Sequence, residues 1–128
     1  MLTLGLVLVA LGALLHVWIF VLESLLWTAP VARRTFGGTP EQARATAEMA
    51  WNQGFYNLFL AVVAGVGVAL VATGDRSAGV ALVLAGAGSM VLAGVVLVAR
   101  TPSRLRSGLT QAALPALGLV ALAVALLG

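Results

Sequence analysis

A chain of 128 residues that is 62% hydrophobic and 9% charged, with a mean hydropathy of +1.12, has too little polar surface to cover a soluble globule of its size. It contains no cysteine, which excludes disulfides, thiolate metal sites and dithiol redox chemistry. The formal charge of +3 would suggest nucleic acid in a soluble protein, but the seven arginines lie in short loops beside apolar runs, so no nucleic-acid partner is expected.

Four apolar runs, at about residues 4–27, 50–72, 78–99 and 108–127, are each long enough to cross ~30 Å of hydrocarbon at 1.5 Å per helical residue. They are unbroken stretches of Leu, Val, Ala and Gly, not the alternating pattern of barrel strands. The expectation is an all-α integral membrane protein, a four-helix up-down bundle forming one transmembrane domain over residues 1–128. Arg33, Arg34 and Arg44 fall between the first two runs, Arg100, Arg104 and Arg106 between the last two, and only Arg76 in the middle loop. The positive-inside rule then places loops one and three in the cytoplasm and both termini outside.

The first run contains "LLHVWIFVLESLLW". His16 and Glu23 are seven residues apart, on one side of an α-helix about two turns apart, with Phe20 and Trp27 on the same stripe. A carboxylate in a membrane helix costs about 2.5–3.5 kcal/mol on insertion scales, so it faces a bundle interior or water and takes a partner. Small residues around Ala29 and Ala32 resemble a signal cleavage site. There is no basic n-region, however, and the run is longer than a signal h-region of about 7–15 residues, so it is read as a span.

In the first connection Pro30, Gly37 and Gly38 act as breakers, and Thr39, Pro40 and Gln42 form a helix-start signal with a capping box. Helix two should therefore begin near Pro40 and extend into the cytoplasm, with Glu41, Arg44 and Glu48 at the spacing of a solvated face. It enters the membrane at "MAWNQGFYNLFLA". Asn52, Gln53, Tyr56 and Asn57 occupy its first two turns, at the expected depth of Glu23. Asn52 and Tyr56 share one stripe, and Gln53 and Asn57 share another displaced by about 100°, so the four cannot all face one point. One pair can line a pocket while the other bonds a neighbouring helix.

A tight turn, "TGDRSAG", leads into span three, where Ala81, Ala85, Ser89 and Ala93 recur every fourth residue. Small residues at that spacing make a packing face, for another span or for a second subunit in a homo-oligomer. After the short basic turn "RTPSRLRSG", span four carries Gln111 about one turn in, followed by Pro115, which frees the Gln111 carbonyl. Three spans thus bring polar groups to one layer.

"HVWIFVLESLLW", "NQGFYNLFLA" and "GLTQAALPAL" resemble, in order and spacing, the small four-span bacterial membrane proteins catalogued as domain of unknown function 1304. The resemblance implies an integral protein of the inner membrane whose motifs include His16, Glu23, Asn52, Gln53, Gly54, Tyr56 and Asn57. It implies no reaction and no cofactor.

Metal binding is not expected, because the single His lies roughly 10 Å along the helix from Glu23. Three functions fit the pattern. The first is a membrane enzyme or binding protein for a small hydrophobic or amphipathic molecule such as a lipid. Its candidate catalytic residues are Glu23, as general acid/base, and His16; Asn52, Gln53, Asn57 and Gln111 would hold polar groups, and Trp18, Trp51 and Tyr56 would line the apolar part. The second is a proton-coupled small-molecule transporter using Glu23. The third is a structural or regulatory membrane subunit docking through span three.

Overall fold

The apolar runs form four long helices in the computed structural model, which describes residues 1–128. In chain order, α1 (Leu2–Phe20) continues into a π-helical turn (Val21–Leu25). Two short helices, α2 (Pro30–Phe36) and α3 (Pro40–Ala45), build loop one. Then come α4 (Ala47–Thr73), α5 (Arg76–Arg100), a 3-10 turn (Pro102–Arg104) and α6 (Leu105–Leu127). Each long segment is long and apolar enough to cross a membrane, so this is a multi-pass membrane protein.

The spans pack as a ring in which α1 touches α4, α4 touches α5, α5 touches α6 and α6 returns to α1. In lipid there is no hydrophobic drive between helices, so close backbone approach has to supply the attraction, and glycines line the seams. A Cβ added at Gly67 of α4 would stand 2.6 Å from the Val83 nitrogen, and one at Gly5 of α1 would stand 2.9 Å from the Leu122 nitrogen of α6. The bundle interior is filled by Val9, Ala13, Ala61, Ala64, Val83, Ala87, Met90 and Leu122.

α5 carries two small-residue series. The inward one comprises Gly79, Gly86, Ala87 and Gly94, buried together with Val83 and Met90, while Ala81, Ala85, Ser89 and Ala93 are exposed. The alanine series expected as a packing face is therefore not used between spans of the chain. Glycine permits the closer approach, and the glycine series takes the inner seam.

Helix two does extend beyond its apolar run, but in two pieces. Thr39 caps α3 with both bonds of a capping box, Gln42 N–H to Thr39 Oγ1 at 3.2 Å and Thr39 N–H to Gln42 Oε1 at 2.9 Å. The helix breaks at Thr46, whose hydroxyl donates to the Gln42 carbonyl at 2.8 Å and accepts from Trp27 Nε1–H at 3.1 Å. α2 was not apparent from the sequence. It starts with Pro30 in its first turn and ends at Gly37, with φ +81°, and Phe36 lies against Trp27 at a ring-centroid distance of 5.5 Å. Trp27 thus ties both halves of loop one to the end of the first span.

Candidate functional site

Glu23 sits in the π-helical turn, where the Leu26 N–H reaches back to the Val21 carbonyl at 3.0 Å. A turn closed by i→i+5 bonds is wider than an α-helical one. It carries Glu23 away from the strict 3.6-residue phase of His16, toward the face of Leu15, Ile19 and Leu22. Such bulges inside α-helices occur often at functional sites.

Opposite this turn, α4 presents Gly54, where a Cβ would collide with the Ser24 hydroxyl and stand 2.9 Å from the Ser24 nitrogen. The Ser24 hydroxyl donates to the Trp51 carbonyl at 2.9 Å. This crossing brings Asn57, one turn further on, to Glu23. Its Nδ2 donates to Glu23 Oε2 at 2.8 Å and to the Gln53 carbonyl at 3.1 Å, so both amide hydrogens are used. Oε1 of Glu23 takes no partner in the chain.

Glu23 and Asn57 line a cavity of about 850 Å³ bounded by all four spans and loop one. That is within the roughly 300–1,000 Å³ usual for small-molecule sites. From α1 come Leu15, Trp18, Ile19 and Leu22, and from α4 Gln53, Tyr56 and Leu60. α5 adds Ala93 and Leu97, and α6 adds Ser107, Thr110 and Gln111. The end of the cavity near loops one and three is bordered by Trp27, Arg34, Phe36, Arg104 and Arg106. Along the first span it runs from Leu15 past Glu23 to Trp27, beyond the π-helical turn. The wall is apolar toward the bundle centre and cationic at the loop end.

On span two, Gln53, Tyr56, Asn57 and Leu60 share the cavity face, at i, i+3, i+4 and i+7. The structure brings Glu23, Trp18, Gln53, Tyr56, Asn57 and Gln111 together around one space. It does not bring Asn52, Trp51 or His16 there. Asn52 is exposed on another face of α4, and Trp51 lies tilted against Phe55 at a ring-centroid distance of 5.1 Å. The expected pairing of Asn52 with Tyr56 is corrected accordingly: the cavity face falls between the two anticipated stripes and takes one residue from the first and two from the second.

His16 is fully buried on the α1 face that meets α6. The contacts of Gly5 with Leu122 and of Gly12 with Pro115 set an antiparallel register that puts His16 level with Gln111. Its Nδ1 lies 2.9 Å from the Gly12 carbonyl, so Nδ1 carries the hydrogen, and Nε2 has no partner in the chain. No cluster of His, Cys, Asp and Glu is placed to hold a metal ion.

The sequence reading missed Leu15, Ile19, Leu22 and Leu60, because an apolar cavity wall and a lipid-facing side are composed alike. In the sequence Arg34, Arg104 and Arg106 mark only orientation. Their position at the same end as Glu23 was the available signal. A second, smaller cavity of about 450 Å³ lies within loop one, among Trp27, Arg33, Phe36, Gln42, Thr46 and Arg104, and contains none of the candidate residues.

Fold and site define a four-span membrane protein with a cavity that is polar and cationic at one end of the bundle and apolar toward its centre. The chain belongs to the family described as Protein of unknown function (DUF1304), which matches residues 10–123 and so includes every lining residue named above. No curated protein and no solved structure matches the chain.

Proposed function

We propose that the protein binds, or acts on, a small amphipathic molecule drawn from the membrane, with its apolar part along Trp18, Ile19, Leu22 and Leu60 and its polar part among Glu23, Asn57 and Gln53. The observation that carries this reading is the cavity itself: half of its lining residues are hydrophobic, and Glu23 presents a carboxyl oxygen there that no other residue takes up. The packed interior around Val9, Ala61, Val83 and Met90 lies beyond the deep end, which supports a site entered from one end over a path through the bundle. With the arginines of loops one and three on the cytoplasmic side, that entrance lies near the cytoplasmic leaflet.

The test is occlusion. Ala93 lines the cavity from α5, whereas its neighbour Leu92 is 65% exposed and does not. Binding of a dansyl-labelled fatty alcohol to the purified protein should fall with Ala93→Trp and stay unchanged with Leu92→Trp. Equal binding by both variants would contradict the proposal.

A further inference from the structure

We infer that the molecule held in this cavity is a lipid with a phosphate head, and that Arg34, Arg104 and Arg106 are the residues that select it; this rests on the binding function proposed above. The three guanidinium groups come from two separate segments, α2 in loop one and the start of the fourth span, yet line one cavity. None is paired with a carboxylate: the one ion pair in the molecule is Arg44 with Glu41, at 3.0 Å. Of the four acidic residues only Glu23 lines the cavity, so three guanidinium groups share it with a single carboxyl group. One of that carboxyl group's oxygens is already held by Asn57.

A guanidinium group offers a rigid fork of donors that matches the oxygens of a carboxylate or a phosphate. Arginines approaching from two segments suit a tetrahedral head with oxygens in several directions better than a planar carboxylate. The Ser107 hydroxyl, which follows Arg106 on α6 and has no partner in the chain, adds a donor next to the arginines. Basic residues beside a span also draw anionic lipid to the membrane surface. The apolar wall from Trp18 to Leu15 and Leu60 commits the site to a lipid-borne phosphate over a free ion, because an inorganic anion would leave that wall unused.

The experiment is displacement of the dansyl-labelled fatty alcohol from the intact protein in neutral detergent by three competitors: dodecyl phosphate, dodecanol and inorganic phosphate. Dodecyl phosphate should displace the probe at a concentration at least about tenfold below that of dodecanol, because only the phosphate can make charge-assisted hydrogen bonds to the arginines. Inorganic phosphate should not displace it. The preference should disappear in the double variant Arg104→Gln/Arg106→Gln, shrink in Arg34→Gln, and persist in Arg76→Gln, at the opposite end of the bundle. All three cavity arginines are exposed, and continued binding of the neutral probe reports that the variants are folded.

Equal displacement by dodecanol and dodecyl phosphate in the unaltered protein would overturn the head-group assignment and leave the cavity function standing; that arm depends on no variant. A preference that survives the double substitution would overturn the role of the arginines. Displacement by inorganic phosphate as effective as by dodecyl phosphate would overturn the lipid source. Failure of the neutral probe to respond to Ala93→Trp would instead remove the underlying binding function, and this inference with it.

Discussion

Asn57 donates both of its amide hydrogens, to Glu23 and to the Gln53 carbonyl, and so couples the second span to the carboxyl of the first. Interhelical bonds of this kind are worth about 0.6 kcal/mol on average and about 1.7 at most. Asn57→Ala should therefore lower bundle stability by an amount in that range, read by equilibrium unfolding in mixed micelles; no loss at all would mean that the bond contributes nothing to folding. His16 poses the opposite case. Its Nε2 is buried without a partner in the chain, a cost that apolar replacement removes, and this offsets the loss of the Nδ1–H bond to the Gly12 carbonyl. His16→Leu should unfold within about 1 kcal/mol of the unaltered protein and retain binding of the dansyl probe. Loss of binding with stability intact would assign His16 to the site after all. At this scale the sequence identified Glu23 and Asn57 as polar groups needing partners, since charge in lipid is costly whatever the fold. It could not exclude Asn52 or Trp51, because residues one position apart differ only by a rotation that packing fixes.

The crossing of α4 over the π-helical turn depends on Gly54, where any side chain would meet Ser24. Gly65, three turns along the same helix, has open space around the position of an added Cβ. Gly54→Ala should destabilise the bundle and separate Asn57 from Glu23. Gly65→Ala should stabilise it by roughly 0.5–1 kcal/mol, because alanine is the better helix former. The two substitutions are chemically identical, so their opposite signs in one unfolding assay isolate the close approach. The four spans were legible as elements because length and hydropathy suffice to define them. The capping box at Thr39 was legible because its bonds are local. The π-helical turn was not, since a one-residue excess leaves no mark in an apolar run, and neither was the division at Thr46, which depends on Trp27 nineteen residues away.

For the whole molecule, the ring of α1, α4, α5 and α6 leaves its polar and cationic residues at the end that carries loops one and three. The arginine distribution predicts that this end faces the cytoplasm. The absence of cysteine makes a direct check available: in sealed cells, Ser77→Cys should react with a membrane-impermeant maleimide, while Ala45→Cys and Ser103→Cys should react only after lysis. The up-down arrangement was legible from loop lengths, and the polar part of the cavity from Glu23, Gln53 and Asn57, whereas its apolar wall was not, because such residues are composed like a lipid-facing side. Photolabelling with a fatty alcohol bearing a diazirine in its chain, followed by peptide mapping, tests that cavity most directly. Labels concentrated on Trp18, Ile19, Leu22, Tyr56 and Leu60 are the expected result. Labels confined to outward residues such as Leu11, Val62 and Leu92 would contradict a binding site inside the bundle.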